Sequence, residues 1–141
     1  MAGTVRPTST VEQATERAED NLRRALAALP GHIRVERIAS THTPCDDPDD
    51  GGPPGRVTAS VQYQVHDLPA DEFARRVDEL RAWWTDNGFR ELRDGRPGML
   101  YLWVEHNRDG FRMAVQANDL GELYLFSTSP CVWPHGTPEP D

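Results

Sequence analysis

Lysine is absent from this 141-residue chain: all 15 basic residues are arginine, set against 23 Asp and Glu, for a net charge of −8. Binding to nucleic acid or to an anionic membrane needs a contiguous basic surface that releases counterions, so neither is expected. No apolar run approaches the roughly 20 residues that span a bilayer, and the opening stretch MAGTVRPTSTVEQ has no apolar segment of the signal-peptide kind. The two cysteines do not stand as CxxC, the five histidines form no HExxH or other short-spaced pair, and no glycine-rich phosphate loop is present. Glu36, Glu91, Glu105 and Asp109 supply carboxylates, but no spacing singles out a pair, and Ser129-Pro130-Cys131 is no nucleophile elbow. An enzyme is therefore not expected, and neither is a cofactor.

What is present reads as one α+β domain, in keeping with the chain's length. Residues 1–9 are a polar tail or the remnant of a tether, 10–134 the domain, and 135–141 a fraying C-terminus. Thr10 and Gln13 form a capping box, and Ala14, Ala18, Leu22, Ala25 and Leu29 recur as one stripe, which predicts a helix over 11–29. Pro30 and Gly31 end it. Ile33, Val35 and Ile38 alternate with one change of parity, the mark of a strand with a bulge. The stretch THTPCDDPDDGGPPG that follows is too rich in Pro, Gly and Asp for regular structure, and 44–55 reads as an acidic loop. Asp46, Asp47, Asp49 and Asp50 lack the spacing of a calcium loop and read as a solvated edge.

From Val57 to His66 the alternation is clean: Val57, Ala59, Val61, Tyr63 and Val65 share one face, polar residues the other. One wet face implies a sheet covered on one side only. A second helix, with Phe73, Val77, Leu80 and Trp84 in its stripe, stops at Asn87 and Gly88. Strands are expected at 99–106, 111–117 and 122–127, with a further short edge strand at 89–92. Together they predict two α-β-β-like units: an antiparallel sheet of four to five strands with two helices packed on one face.

Cys45 follows the first strand and Cys131 the last, both in irregular chain. Pairing them is the expected outcome, and it would close a span of 86 residues. The competing outcomes are two unrelated thiols, or a zinc site completed by His42 and His135, which a disulfide would exclude. A disulfide also implies an oxidising compartment, hence an extracytoplasmic protein, secreted or lipid-anchored, whose targeting segment has been removed. The combination of CDDP at 45–48, a clean strand after a Gly/Pro loop, Asp-Asn-Gly-Phe at 86–89 and SPCVWP at 129–134 resembles a group of small secreted or lipid-anchored actinobacterial proteins, mostly without an assigned function. The resemblance covers about residues 15–136 and implies fold and location, with no catalytic residues to carry over. Members of the group begin with a signal or lipoprotein segment, a feature this sequence does not share.

Aromatic residues give the remaining signal. Adjacent Trp83 and Trp84 point about 100° apart on a helix, which puts Trp83 at the margin of the buried stripe. Tyr101 and Trp103 share one strand face, and Tyr124 and Phe126 share one face of a later strand. With Trp133 of the tail, Trp83, Tyr101, Trp103 and Tyr124 form a candidate surface that is an interface, a ligand floor or a resting place for the tail. Arg112, Gln116, Gln62 and Gln64 lie among them on the wet face. The expected function is non-enzymatic contact with an unknown envelope protein or with a second copy. Its alternatives are a small apolar ligand or lipid site lined by the aromatic residues, and a small hydrolase.

Overall fold

A computed structural model describes residues 8–45, 55–95 and 99–137. Thr10 caps the first helix, α1 (Val11–Ala25): its hydroxyl accepts from Gln13 N at 3.1 Å, and Gln13 Oε1 accepts from Thr10 N at 2.9 Å. A single 3-10 turn, Leu26–Ala28, replaces the last turn of the helix expected to reach residue 29. Strand β1 (Arg34–Pro44) pairs antiparallel with β2 (Val57–His66), and its register shifts between Arg37 and Ala39, so Ile38 is the bulged residue. This strand runs further than the composition suggested, because Thr41–Pro44 pair with Val57–Ser60. Such a proline is tolerated at the rim: β1 is an edge strand, where a missing N–H need not break a ladder. The acidic run after Cys45 lies outside the described residues.

A 3-10 turn at Ala70–Glu72 leads into α2 (Phe73–Asp86), which Gly88 ends at φ +88°. Four strands follow as a meander: β3 (Phe89–Asp94), β4 (Tyr101–His106), β5 (Arg112–Ala117) and β6 (Leu123–Thr128). Strand β6 returns to pair with β2, giving an antiparallel sheet of six strands in the order β1-β2-β6-β5-β4-β3. That is one strand more than the four to five expected; β3 is the short edge strand expected at 89–92, extended to Asp94. Its register shifts between Glu91 and Arg93, so neither of its faces alternates cleanly in sequence.

Both helices lie on one face of this sheet, α1 against β2 and β6, α2 against β3 and β4. Ala14, Ala18 and Ala25 let α1 approach closely, while Leu22 fills the gap; all four are at most 1% exposed. On the sheet face beneath the two helices are Val61, Leu125, Val115, Leu102 and Val104, all buried. Trp84 is the largest fully buried side chain, and its Nε1 donates to Met113 Sδ at 3.2 Å. Burial of this kind contributes about 25 cal/mol per Å² of apolar surface, so the helix-covered face carries most of the stability.

Candidate functional site

Among the described residues, no helix lies on the opposite face of the sheet. Register places Ala39, Gln62, Phe126, Ala114, Trp103 and Arg93 in one row across the six strands. The next row toward the chain termini holds Thr41, Ser60, Thr128, Arg112, Glu105 and Arg90. A hollow of about 120 Å³ is bounded by Ala39 and Thr41 on β1, Gln62 on β2, Phe126 on β6 and Trp103 on β4. Strands β1 and β4 stand four spacings apart, roughly 19 Å on a flat sheet, so side chains from both can border one small hollow only if this face is concave. On its other side Trp103 borders a second depression of about 400 Å³ with Thr58, Glu105, Arg112, Pro130 and Cys131.

Trp103 Nε1 is buried and has no hydrogen-bond partner among the described residues. An indole N–H left that way costs about 1–3 kcal/mol relative to one that is satisfied. Around it the polar groups are held in place. Ser60 Oγ and Thr128 Oγ1 share a hydrogen bond of 3.0 Å. Glu105, whose side chain is 15% exposed, takes an ion pair from Arg90 and a 2.9 Å bond from Arg112 Nε, while both arginines remain about half exposed. Tyr101 lies 6.0 Å from Trp103, centroid to centroid and tilted. Burial raises the Tyr101 phenol above its ordinary range, against the opposing pull of Arg93. For Tyr124 burial acts first in the same direction, followed by the charge of Glu122 and a hydrogen bond to it.

Of the five aromatic residues selected from sequence, three meet on this face: Tyr101, Trp103 and Tyr124. Trp83 does not join them. It belongs to α2, on the far side of the sheet, where it is half-buried against the core while Trp84 is fully buried. Trp133 does not join them either. It is buried at the end of the sheet near the chain termini, where its backbone N donates to Thr8 Oγ1 at 2.8 Å. The tail segment serves α1 there: Pro134 O accepts from Val11 N, one of the first-turn donors with no partner inside the helix, and Gly136 O accepts from Thr8 N. That last bond joins residues just outside the 10–134 limits drawn from composition.

Arg90, Arg93 and Phe126 were not selected from sequence. Two arginines three positions apart point to opposite faces of a regular strand, and it is the β3 bulge that brings them to one face. Phe126 was visible as the partner of Tyr124 in alternation, but nothing in the sequence aligned it with Trp103.

Cys45 and Cys131 are joined in a disulfide, with Cα atoms 5.9 Å apart. The bond extends the β1–β2 ladder, in which Cys45 N donates to Arg56 O, and ties it to the tail, whose Val132 bridges to Val57. Both thiolates being consumed, the zinc arrangement with His42 and His135 is not available. Among the described residues no three His, Cys, Asp or Glu side chains converge on a metal-sized site. Asp46, Asp47, Asp49 and Asp50 lie outside the described residues, as does most of the CDDP motif.

These features define a disulfide-stapled two-layer α+β domain with one helix-covered and one open sheet face. The chain is similar to the crystal structure of the putative lipoprotein LppA from Mycobacterium tuberculosis, with 18% identity and a TM-score of 0.48 over 94% of this chain and 87% of that one. A likeness at that level carries no argument about function. No family model matches the chain, and no curated protein matches it.

Proposed function

We propose that this protein is a non-enzymatic extracytoplasmic domain that works by contact with another envelope protein, and that the contact is made by the open face of the sheet. The observation that carries the reading is the composition of that face. Trp103, Tyr101, Tyr124, Arg90 and Arg112 lie on a concave surface covered by neither helix, and Trp, Tyr and Arg are the residues that dominate binding energy at protein interfaces. The disulfide supports an oxidising compartment, where such bonds persist. A ligand pocket shared by Trp83, Tyr101, Trp103 and Tyr124 has less support, because Trp83 stands across the sheet from the other three.

Photo-crosslinking in the native envelope tests the reading. A photoreactive phenylalanine at Tyr101, Gln62 or Tyr124 is expected to give discrete protein adducts, while the same probe at exposed Arg24 or Ala82 on the helices gives none. Adducts from the helix positions alone, or from neither set, would overturn it.

A further inference from the structure

One half of the open face carries a local charge opposite to that of the whole chain. On this β3-β4-β5 half, Arg90, Arg93 and Arg112 stand against Glu105 alone, a surplus of positive charge on a chain whose net charge is −8. Glu105 does not cancel the cluster so much as fix it. Its largely covered carboxylate holds Arg90 and Arg112 together while each guanidinium stays about half exposed. Arginine presents five donors in a rigid fork that suits carboxylates, and restraining it beforehand lowers the ordering cost of binding. Between this cluster and the apolar hollow under Phe126 stands the Trp103 ring, which borders both depressions. A single occupant satisfies all three features if it is extended and offers carboxylates and a small apolar group at close spacing.

We infer that the open face receives an acidic, extended polypeptide segment of its partner, with carboxylates on Arg90 and Arg112, its backbone lying across the Trp103 ring, and a small side chain in the hollow against Phe126. The inference rests on the contact reading above and names the chemistry of the partner. The net charge of −8 on the whole chain disfavours general attraction of the same segment, so its recognition depends on this local cluster.

The probes are a capped hexapeptide of alternating Glu and Ala, its Lys–Ala counterpart, and vesicles of phosphatidylglycerol, each titrated against the intact, oxidised protein. Binding is followed through the backbone and indole N–H resonances. The Glu–Ala peptide is expected to shift the Trp103 indole resonance and those of β4 and β5, and to weaken at least about fivefold as NaCl is raised from about 50 to about 500 mM. Arg90→Gln and Arg112→Gln should each weaken it about tenfold. Trp103→Phe, which shrinks the ring that borders both depressions, should weaken it by a smaller factor, roughly threefold. Because either arginine variant could disturb the sheet, the salt dependence of the unaltered protein stands as an independent readout. Binding of the Lys–Ala peptide as strong as that of Glu–Ala, salt-independent binding, or binding of the vesicles alone would overturn the inference. If open-face crosslinks form while the Glu–Ala peptide fails, the acidic partner is wrong and the contact reading stands; if both fail, both are wrong.

Discussion

Ala114 is 1% exposed on a sheet face that no helix covers, and its register partners on either side are Trp103 and Phe126. A small residue so well covered between two large ones lies beneath their rings. Replacing it with leucine forces the indole or the phenyl ring off its place, at a cost of roughly 1–3 kcal/mol. Ala82→Leu, on the exposed side of α2, should stay within about 0.5 kcal/mol of the unaltered protein. Urea denaturation of the two variants checks the contrast, and equal stabilities would mean that the face is not packed as described.

The adjacent tryptophans of α2 give a second contrast. Trp84 is fully buried and bonded to Met113, whereas Trp83 only borders the core. Trp84→Ala is expected to cost about 3–5 kcal/mol, the range for emptying an aromatic site in a core. Trp83→Ala should cost distinctly less. Thermal or chemical unfolding would decide it, and a larger loss at Trp83 would reverse the assignment of the two faces.

Where hydrophobic period and secondary structure coincide, the sequence was legible. The α1 stripe, the clean alternation of β2, the Ile38 bulge and the burial of Trp84 rather than Trp83 all follow from spacing, because burial on one face imposes that spacing. Legibility failed where a local rule gave way to position in the sheet. Pro44 is acceptable because β1 is an edge, and Arg90 and Arg93 share a face because β3 is bulged; neither fact is encoded within a few residues. The candidate site suffers most from this. Trp103 and Phe126 are brought together by the return of β6 between β2 and β5, a long-range pairing that alternation alone does not fix. Trp133 showed the converse: its aromatic character suggested the patch, while the tail pairs through Val132 with Val57 and satisfies the Val11 donor at the start of α1.

The disulfide should be a major contributor to stability. Closing an 86-residue span lowers the entropy of the unfolded chain by an amount equivalent to about 4–5 kcal/mol, an upper-end figure. A Cys45→Ser/Cys131→Ser double variant is expected to lose a large part of that, and to show a steeper dependence on urea because its unfolded state is more expanded. Denatured mass spectrometry of protein purified without reductant should find it two hydrogens lighter than the reduced form. Full reduced mass in protein purified without reductant would remove the support for an oxidising compartment.

Alkaline pH probes the tyrosines, all of which hold their protons more tightly in the folded chain than the ordinary phenol does. For Tyr63 the causes are burial first, then its 2.9 Å bond to Glu19 and the charge of that carboxylate. For Tyr101 and Tyr124 burial again acts first. Between the ordinary phenol value of about 10 and the raised folded values, the folded state therefore binds more protons than the unfolded state. The stability these groups contribute is fully present below pH of about 10 and is lost as pH rises through the folded values. Ultraviolet titration of the native protein should show phenolate appearing later than in urea, and unfolding free energy should decline over the same window. Tyr63→Phe should lower stability at neutral pH by about 1 kcal/mol, through the lost bond to Glu19, and make the alkaline decline shallower. An unchanged alkaline slope in that variant would show that Tyr63 does not hold its proton through Glu19 and burial in the way its surroundings dictate.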